Sequence, residues 1–141
     1  MRVMREILIK GKRVDNGEWV EGYYVKFGNA HYILTGEIEV ETHLNSYGLP
    51  CTSPKTHEVI PETVGQFTGL TVPNGKIFEH DIVTAKFKSN GARYNFTVKY
   101  SNEKGCFVFG NGCVKVPFDN IRSVRIIGDI HDNPELLKGG E

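Results

Sequence analysis

The sequence predicts a mainly β fold (β-rich α+β), with an N-terminal antiparallel β region, a small C-terminal β-barrel and a short terminal helix. Two observations carry this prediction. No window of about 12 residues has the apolar spacing of an amphipathic helix. Short runs of alternating apolar and polar residues are instead separated by turn signals such as Asn-Gly. The length of 141 residues suits one domain, or two very small ones that share a core.

The N-terminal β region is predicted over residues 1–62. Asp15-Asn16-Gly17 marks a turn before the apolar-rich run from Trp19 to Val25, and Glu37–Glu41 alternates charged and apolar residues as a half-exposed strand does. Residues 42–57 are polar and contain two prolines, so they are predicted to form the longest loop. We favour a variable or disordered connection there over a mobile binding element. Further strands are predicted at residues 7–9 and 31–34.

The C-terminal unit, residues 63–141, is predicted to form the barrel from about four short antiparallel strands. Asn90-Gly91 is typical of a two-residue type I′ hairpin, and hydrophobic alternation selects the same register. Asn111-Gly112 predicts a second hairpin, and Asn133-Pro134 is typical of a cap followed by the first position of a short helix. The predicted pairs are Phe87/Tyr94, Ala85/Phe96, Val83/Val98, Phe109/Val114 and Phe107/Val116 on the inner face, and Lys88/Arg93, Lys86/Asn95 and Thr84/Thr97 on the outer face, with residues 121–127 as a further strand.

The stretch before the first hairpin contains Gly65, Gly69, Asn74 and Gly75. Such glycines could cradle a phosphate, but a P-loop needs a Lys-Ser/Thr pair that leads into a helix. Here Lys76 is followed by apolar residues and a predicted strand. Turns and a β-bulge are therefore the favoured explanation of these glycines.

Two pairs of titratable residues could carry chemistry. His80 and Asp81 are adjacent, so on a strand they would point to opposite faces, and Asp81 is predicted to accept a backbone amide in the preceding turn. Asp129 and His131 are two residues apart and would share a face, as two metal ligands do, but no third ligand is identifiable. Capping or surface contacts are favoured, and no catalytic residue, metal site or cofactor is predicted.

Acidic and sulfur-containing residues give no stronger prediction. Glu37, Glu39 and Glu41 would line one strand face, where a solvated, edge-protecting surface is favoured over a calcium site because calcium is usually wrapped by a turned loop. The three cysteines form no CxxC pair and fit reduced thiols. Cys106 is predicted to lie too far from Cys113 to bond to it.

Two groups of residues are candidates for binding a partner. Lys86, Lys88 and Arg93 would share the outer face of the first hairpin, with Lys99 farther along, and like charges so close repel one another unless water, acidic neighbours or an anion compensates. Nucleic acid is such an anion, although the face lacks an aromatic residue for base stacking. The second group, in the N-terminal sheet, could form core and rim or an oligomer or partner interface; it consists of Trp19, Tyr23 and Tyr24.

Charge and hydropathy narrow the function classes. Basic and acidic residues number 17 each, so the net charge is zero and any binding to nucleic acid or anionic lipid needs a local patch. No apolar run approaches the roughly 18 residues of a membrane span, and the N-terminus does not have the pattern of a signal peptide. The expectation is a cytoplasmic protein. Translation could begin at Met1 or at Met4.

Three segments, in order, resemble the YopX family of small bacteriophage and prophage proteins. They are GKRVDNGEWVEGYYV (residues 11–25), ETVGQFTGL followed by NGKIFEHDIV (62–70 and 74–83), and IIGDIHDNPELL (126–137). The resemblance implies a phage or prophage origin in a bacterial host and a mainly β fold whose C-terminal part is an SH3-like barrel. It implies no established activity.

The chain departs from the family pattern at two places. The family usually has glycine where this chain has His80, and glycine would indicate a positive φ that histidine adopts only at a cost. The stretch between Asn74-Gly75 and Ile77 is also about one residue shorter than usual.

Three functions follow as hypotheses. The leading one is a non-enzymatic accessory protein that acts through protein contacts, including contacts with itself as a homo-oligomer. The alternative is a nucleic-acid-binding small barrel that uses the basic hairpin face. The third is an enzyme whose site is assembled across the fold from His80, Asp81, Asp129 or His131.

Overall fold

The computed structural model describes residues 6–44, 46–111 and 114–137. Within these residues the chain forms eleven strands and three short 3-10 helices, so the predicted mainly β class is confirmed. It divides into two compact units, one of residues 7–65 and one that comprises Glu6 and the chain from residue 66 onwards. No helix in the described ranges is long and apolar enough to cross a membrane.

The first unit is an antiparallel sheet of four strands in the order β4-β3-β2-β1. One face is closed by Ile33 and Val59, which are 0% and 1% exposed, and a 3-10 helix at Pro61–Thr63 follows the last strand. The Thr63 hydroxyl accepts the amide of Lys12 at 2.8 Å. The strands are β1 (Ile9–Lys12), β2 (Trp19–Phe27), β3 (Ala30–Leu44) and β4 (Pro50–Glu58).

The turn predicted at Asp15-Asn16-Gly17 joins β1 to β2. The amide of Gly17 donates to the carbonyl of Arg13 at 2.9 Å, and Gly17 has a positive φ of 72°. The Arg13 guanidinium donates to both carboxylate oxygens of Asp15. Hydrogen bonding to Arg13 lowers the pKa of the exposed Asp15 carboxyl. We interpret this pair as stabilising the turn and not as part of a binding site.

The prediction that residues 42–57 form a loop is wrong. The third strand continues to Leu44, and Pro50–Glu58 forms a strand along it. Pairing with a neighbouring strand satisfies the backbone N–H and C=O groups of polar and apolar residues alike. Polar composition alone was therefore not a sound reason to predict a loop. The prolines are tolerated because β4 is the terminal strand of this unit, where a missing amide donor costs little.

The second unit contains a hairpin of β5 and β6 and a five-stranded antiparallel sheet in the order β10-β9-β8-β7-β11. Phe96 and Phe109 lie at the centre of its core, where both are 0% exposed and their ring centroids are 6.0 Å apart. The strands are β5 (Gly65–Val72), β6 (Gly75–Phe78), β7 (Asp81–Phe87), β8 (Arg93–Ser101), β9 (Cys106–Asn111), β10 (Val114–Val116) and β11 (Ile121–Asp129), with 3-10 helices at Phe118–Asn120 and Pro134–Leu137.

Two finer predictions for this unit fail. Within the described residues β10 and β11 lie at opposite edges of the five-stranded sheet, so the sheet is open and the predicted closed, SH3-like barrel is not confirmed. The predicted terminal helix is only a 3-10 helix, Pro134–Leu137. The amide of Leu136 donates to the carbonyl of Asn133, three residues back, and one such turn is too short to become an α-helix.

The predicted registers of both hairpins are wrong by two residues. Lys86 pairs with Arg93 rather than with Asn95, and Phe109 pairs with Val116 rather than with Val114. The first loop is longer than two residues, because the Gly91 amide donates to the Phe87 carbonyl at 2.9 Å. A shift of two preserves the side-chain alternation, so the predicted inner and outer faces are retained.

Candidate nucleic-acid interface

Three cations lie in one row across the outer face of the second sheet. In β7, which lies between β8 and the edge strand β11, Lys86 is paired on one side with Arg93 of β8 and on the other with Arg122 of β11. Directly paired residues of neighbouring strands have Cβ atoms about 4.5–5.5 Å apart. The row therefore places three positive side chains next to one another.

A β-bulge in β11 adds a fourth cation to this face. Arg122 pairs with Lys86 and Arg125 pairs with Thr84, so Ser123 and Val124 together oppose the single residue Ala85. Without the bulge, residues three apart would point to opposite faces of the sheet. Ser123 has a φ of 55°, one of two positive values at described residues other than glycine. This strained backbone turns both arginines of β11 to the same side.

The side chains of this basic face, defined as Lys86, Arg93, Arg122 and Arg125, are held over the sheet. Arg93 reaches across β7, donating to the Thr84 hydroxyl at 3.3 Å and to the Ser123 carbonyl at 3.4 Å. All three arginines are exposed, and Lys86 is half-buried. Within the described parts of the chain, none of the four lies within 4.0 Å of a carboxylate oxygen.

Lys88 and Lys99, the other predicted cations, are not part of the row. Lys88 is exposed just beyond β7, where its backbone amide donates to the Asn120 carbonyl at 3.0 Å. Lys99 is on the same face of β8, six residues or roughly 20 Å from Arg93, and its side chain passes Gly110 of β9. Lys88 can extend the basic face at the turn, whereas Lys99 is remote from it.

Unpaired like charges on adjacent strands destabilise a sheet. A local arrangement that opposes stability without a structural compensation is a candidate for function. Arginine and lysine side chains can donate charge-assisted hydrogen bonds to phosphate, so the side chains of this face are chemically suited to contacts with oxyanions. The two arginines of β11 were missed in the sequence because their spacing of three places them on opposite faces of a regular strand.

Two of the glycines before β7 have a positive φ, which fits the turn and β-bulge expected there. Gly69 (φ 94°) lies in an irregular stretch of the β5–β6 pairing, between Phe67 and Thr71, and Gly75 (φ 145°) begins β6; Gly65 is buried at the start of β5. An irregular pairing and a turn therefore account for Gly69 and Gly75.

The Asn74 side chain attaches the β5–β6 turn to the outer edge of β11. Its Nδ2 donates to the Ile126 carbonyl at 2.8 Å, and its Oδ1 accepts the Ile126 amide at 3.2 Å. The side-chain amide thus substitutes for a neighbouring strand and protects an edge that would otherwise be open.

His80 and Asp81 shape the corner that leads into β7. His80 has a φ of 79°, the positive value expected from the glycine usual in the family. Asp81 is 3% exposed, and its carboxylate accepts the Phe78 amide at 2.8 Å, as predicted. The His80 ring packs edge-on against His131 with centroids 5.3 Å apart. These contacts support a structural role for both residues.

Replacing His80 by glycine is expected to stabilise the protein, because a side chain at positive φ costs about 1–2 kcal/mol. Loss of the ring contact with His131 and the greater freedom of unfolded glycine offset part of that gain. We expect a net increase of up to about 1 kcal/mol in the free energy of unfolding, measured by urea denaturation. Destabilisation by His80→Gly would show that the His80–His131 contact outweighs the backbone strain.

The end of the chain forms a second hydrogen-bonded corner. The Asp129 carboxylate accepts the amides of His131 and Asp132, each at 2.9 Å, and Asn133 accepts the Asp129 amide at 3.3 Å. Pro134 begins the last 3-10 helix. Asp129 therefore acts as the predicted cap, and among the described residues no three His, Cys, Asp or Glu side chains form a metal-binding group.

The remaining candidate residues, three aromatic residues of β2 and the cysteines and glutamates, differ in their exposure to solvent. In the first unit, Trp19 is half-buried, and Tyr23 is 67% exposed; Tyr24 turns to the other face, where its hydroxyl is 2.6 Å from His31 Nδ1. Cys106 is an exposed free thiol. Cys113 and the side chains of Glu37, Glu39 and Glu41 lie outside the described residues.

The family model described as YopX protein matches residues 12–138, which is most of the chain. A search of curated proteins found no match. The matched range includes the corner at His80, the β5–β6 turn at Asn74 and the terminal corner at Asp129, as the resemblance of the three sequence segments predicts. This chain belongs to the YopX family.

Proposed function

We propose that this protein is a non-enzymatic, phage-type accessory protein that binds nucleic acid through the phosphate backbone. The observation that carries the proposal is the row Arg122–Lys86–Arg93, in which three cations are adjacent and no described carboxylate neutralises them. Arg125 extends the same surface by one step along the strands. Phosphates spaced along a nucleic acid are the polyanion that such a surface fits.

The face favours contacts with the backbone over contacts with bases. Its uncharged positions are Thr84 and Asn95, which pair with each other beside the cationic row. Tyr94 and Phe96 point to the inner side, where they contact Phe87. Because the cationic row contains no aromatic side chain, bases have no stacking platform there, and binding is expected to be independent of sequence.

Zero net charge does not oppose this function, because binding then depends on a local patch rather than on the overall field. Family membership supports a bacteriophage or prophage origin, and we place the protein in the cytoplasm of the bacterial host, where nucleic acid is accessible. Action through a protein partner is the second candidate function. It is favoured by the exposed aromatic residues Tyr23 and Phe27 of the first unit, 67% and 69% exposed.

Neutralising the centre of the row is expected to weaken binding to a short DNA duplex. The test variant is Lys86→Gln/Arg122→Gln, and the matched control is Lys104→Gln/Lys115→Gln, which removes the same charge from exposed positions of the same unit. Fluorescence anisotropy at low salt should give a dissociation constant raised about tenfold or more in the test variant, and little changed in the control.

Two results would contradict the proposal. One is an equal loss of binding in both double variants, which would mean that general charge rather than the basic face determines affinity. The other is no binding of wild-type protein to duplex or single-stranded DNA or RNA at low salt. Circular dichroism of each variant checks that the sheet is retained.

A further inference from the structure

The inner side of the second sheet, opposite the basic face, is open at one end. Along β8, Phe96 and Val98 are 0% exposed, whereas Tyr100, the next residue on the same side by alternation, is 46% exposed. Its cross-strand partner is Phe107 of β9, and the two rings meet edge-on with centroids 5.2 Å apart. The aromatic core therefore extends from its buried centre to the surface.

Two adjoining cavities lie against this end of the sheet. The walls of the first, with a volume of about 430 Å³, include the rings of Phe67, Tyr100, Phe107 and Phe118. The second, of about 450 Å³, shares Tyr100 and Phe107 with the first and reaches Glu79. We call the space between these five side chains the aromatic cleft. Because small-molecule sites commonly have volumes of about 300–1,000 Å³, the cleft has room for a small organic ligand.

Glu79 determines the sign of the charge in the aromatic cleft. The Glu79 amide donates to the Gln66 carbonyl of β5, and the next amide, that of His80, donates to the Val98 carbonyl of β8, both at 2.9 Å. These two bonds hold Glu79 beside the open end of the core. Of the described residues that line either cavity, none is lysine, arginine or aspartate, so the charge that a ligand meets there is negative.

The Glu79 carboxylate has weak partners within the chain. Its Oε1 accepts a long hydrogen bond from the Gln66 amide at 3.5 Å, and its Oε2 is 3.9 Å from His80 Nε2, beyond hydrogen-bonding distance. No lysine or arginine of the described ranges lies within 4.0 Å of it. The side chain is 27% exposed, so water reaches it only in part, and a cation would compensate its charge.

We propose that the aromatic cleft binds an organic cation, an ammonium or guanidinium group carried on an apolar body. The cationic group pairs with the Glu79 carboxylate and lies against the rings of Tyr100 and Phe107, which attract it through cation–π interactions. The apolar body packs against Phe67 and Phe118. A free aromatic amine and the lysine or arginine side chain of another protein share this chemistry.

Other classes of ligand fit the aromatic cleft less well. A phosphate or a nucleic acid would be repelled by Glu79 and would meet no cation among the described lining residues. A neutral apolar ligand would remove water from Glu79 without supplying a compensating charge. A metal ion needs several ligands, and no three His, Cys, Asp or Glu side chains of the described residues form such a group.

An NMR titration of the full-length wild-type protein tests the site. Phenethylamine, an ammonium group on a short chain from a phenyl ring, is expected to shift the signals of Glu79, Tyr100 and Phe107. Its neutral analogue phenethyl alcohol is expected to bind at least about fivefold more weakly. Absence of shifts at these three residues with either phenethylamine or N-acetylarginine amide overturns the proposal, as does equal binding of the alcohol and the amine.

The same titration distinguishes the two sources of the cation. Tighter binding of phenethylamine than of N-acetylarginine amide supports a free amine as the ligand. The reverse order supports the side chain of a partner protein. Neither probe involves nucleic acid, so the result is independent of the proposed function.

Two substitutions assign the binding to the aromatic cleft. Glu79→Gln removes the charge but retains an oxygen for the Gln66 amide, and it is expected to weaken phenethylamine binding by about fivefold. Tyr100→Leu removes a ring but keeps an apolar side chain, with an expected loss of about threefold. The matched control Glu135→Gln removes an exposed carboxylate elsewhere in the same unit and should leave binding unchanged. An equal loss in Glu79→Gln and Glu135→Gln contradicts the role of Glu79, and the spectrum of each free variant shows whether its fold is retained.

Discussion

Replacing Gly22 by alanine is expected to prevent the first unit from folding. A Cβ atom at this position would lie 2.0 Å from the carbonyl oxygen of Leu34 in the neighbouring strand. The clash is with backbone, so it can be relieved only by separating β2 from β3, the pairing on which the sheet depends. We expect a loss above about 4 kcal/mol, seen as missing strand signal in circular dichroism and as collapsed dispersion in the NMR spectrum.

Gly110→Ala is the matched control for this substitution. Gly110 is also a buried strand glycine, but the nearest atoms to an added Cβ would belong to the flexible Lys99 side chain, at 3.1 Å and beyond. A side chain of that kind can move aside, so the control should lose no more than about 1 kcal/mol. Equal stability of the two variants would show that β2 and β3 do not approach as closely as described.

Replacing Phe96 by alanine is expected to destabilise the second unit by about 3–5 kcal/mol. The side chain is 0% exposed and packs against the rings of Phe87 and Phe109, with centroids 5.7 and 6.0 Å away. Removing it leaves a cavity that the paired strands cannot close. Urea denaturation followed by circular dichroism measures the loss.

Tyr100→Ala, on the same strand, provides the comparison for this change. Tyr100 is 46% exposed, so its truncation should cost much less than that of Phe96, despite its ring contact with Phe107. A similar cost for both variants would place the centre of the core elsewhere than at Phe96.

Sequence reasoning identified the fold class and most of the corners because those features depend on local chemistry. The amide-accepting role of Asp81 follows from turn preferences that act over a few residues. The same is true of the Asp15-Asn16-Gly17 turn. The positive φ of His80 was indicated by the glycine usual in the family at that position. By contrast, the strand at Pro50–Glu58 is polar and contains prolines, so its own sequence does not predict a strand, and the pairing with β3 that forms it is not a local feature.

The hairpin registers could not be obtained from the turn dipeptide alone. Asn90-Gly91 does lie in a turn, but the Asn90 side chain accepts the Ala92 amide and Gly91 bonds back to Phe87, which makes the loop two residues longer at its base. Side-chain alternation is unchanged by an even shift. The prediction of an outer basic face therefore remained correct although the individual pairs were wrong.

Two of the four residues of the basic face, Arg122 and Arg125, could not be assigned to it from the sequence, and the reason is geometric. Arg122 and Arg125 come to one side only because a bulge at Ser123 adds a residue to β11. A glycine in a strand indicates a possible bulge, whereas a serine such as Ser123 gives no comparable indication in the sequence. The pairing of β11 with β7, which joins these arginines to Lys86, spans about 35 residues of chain and depends on tertiary packing.

The salt dependence of wild-type binding to a DNA duplex tests the central claim most directly. If the four cations of the basic face and Lys88 contact phosphates, the logarithm of the association constant should fall linearly with the logarithm of salt concentration, with a slope between about −3 and −4.5 from about 50 to 200 mM salt. Lys86→Gln/Arg122→Gln should make that slope shallower by about 2. A slope near zero, or one unchanged in the variant, would contradict binding of nucleic acid by this face.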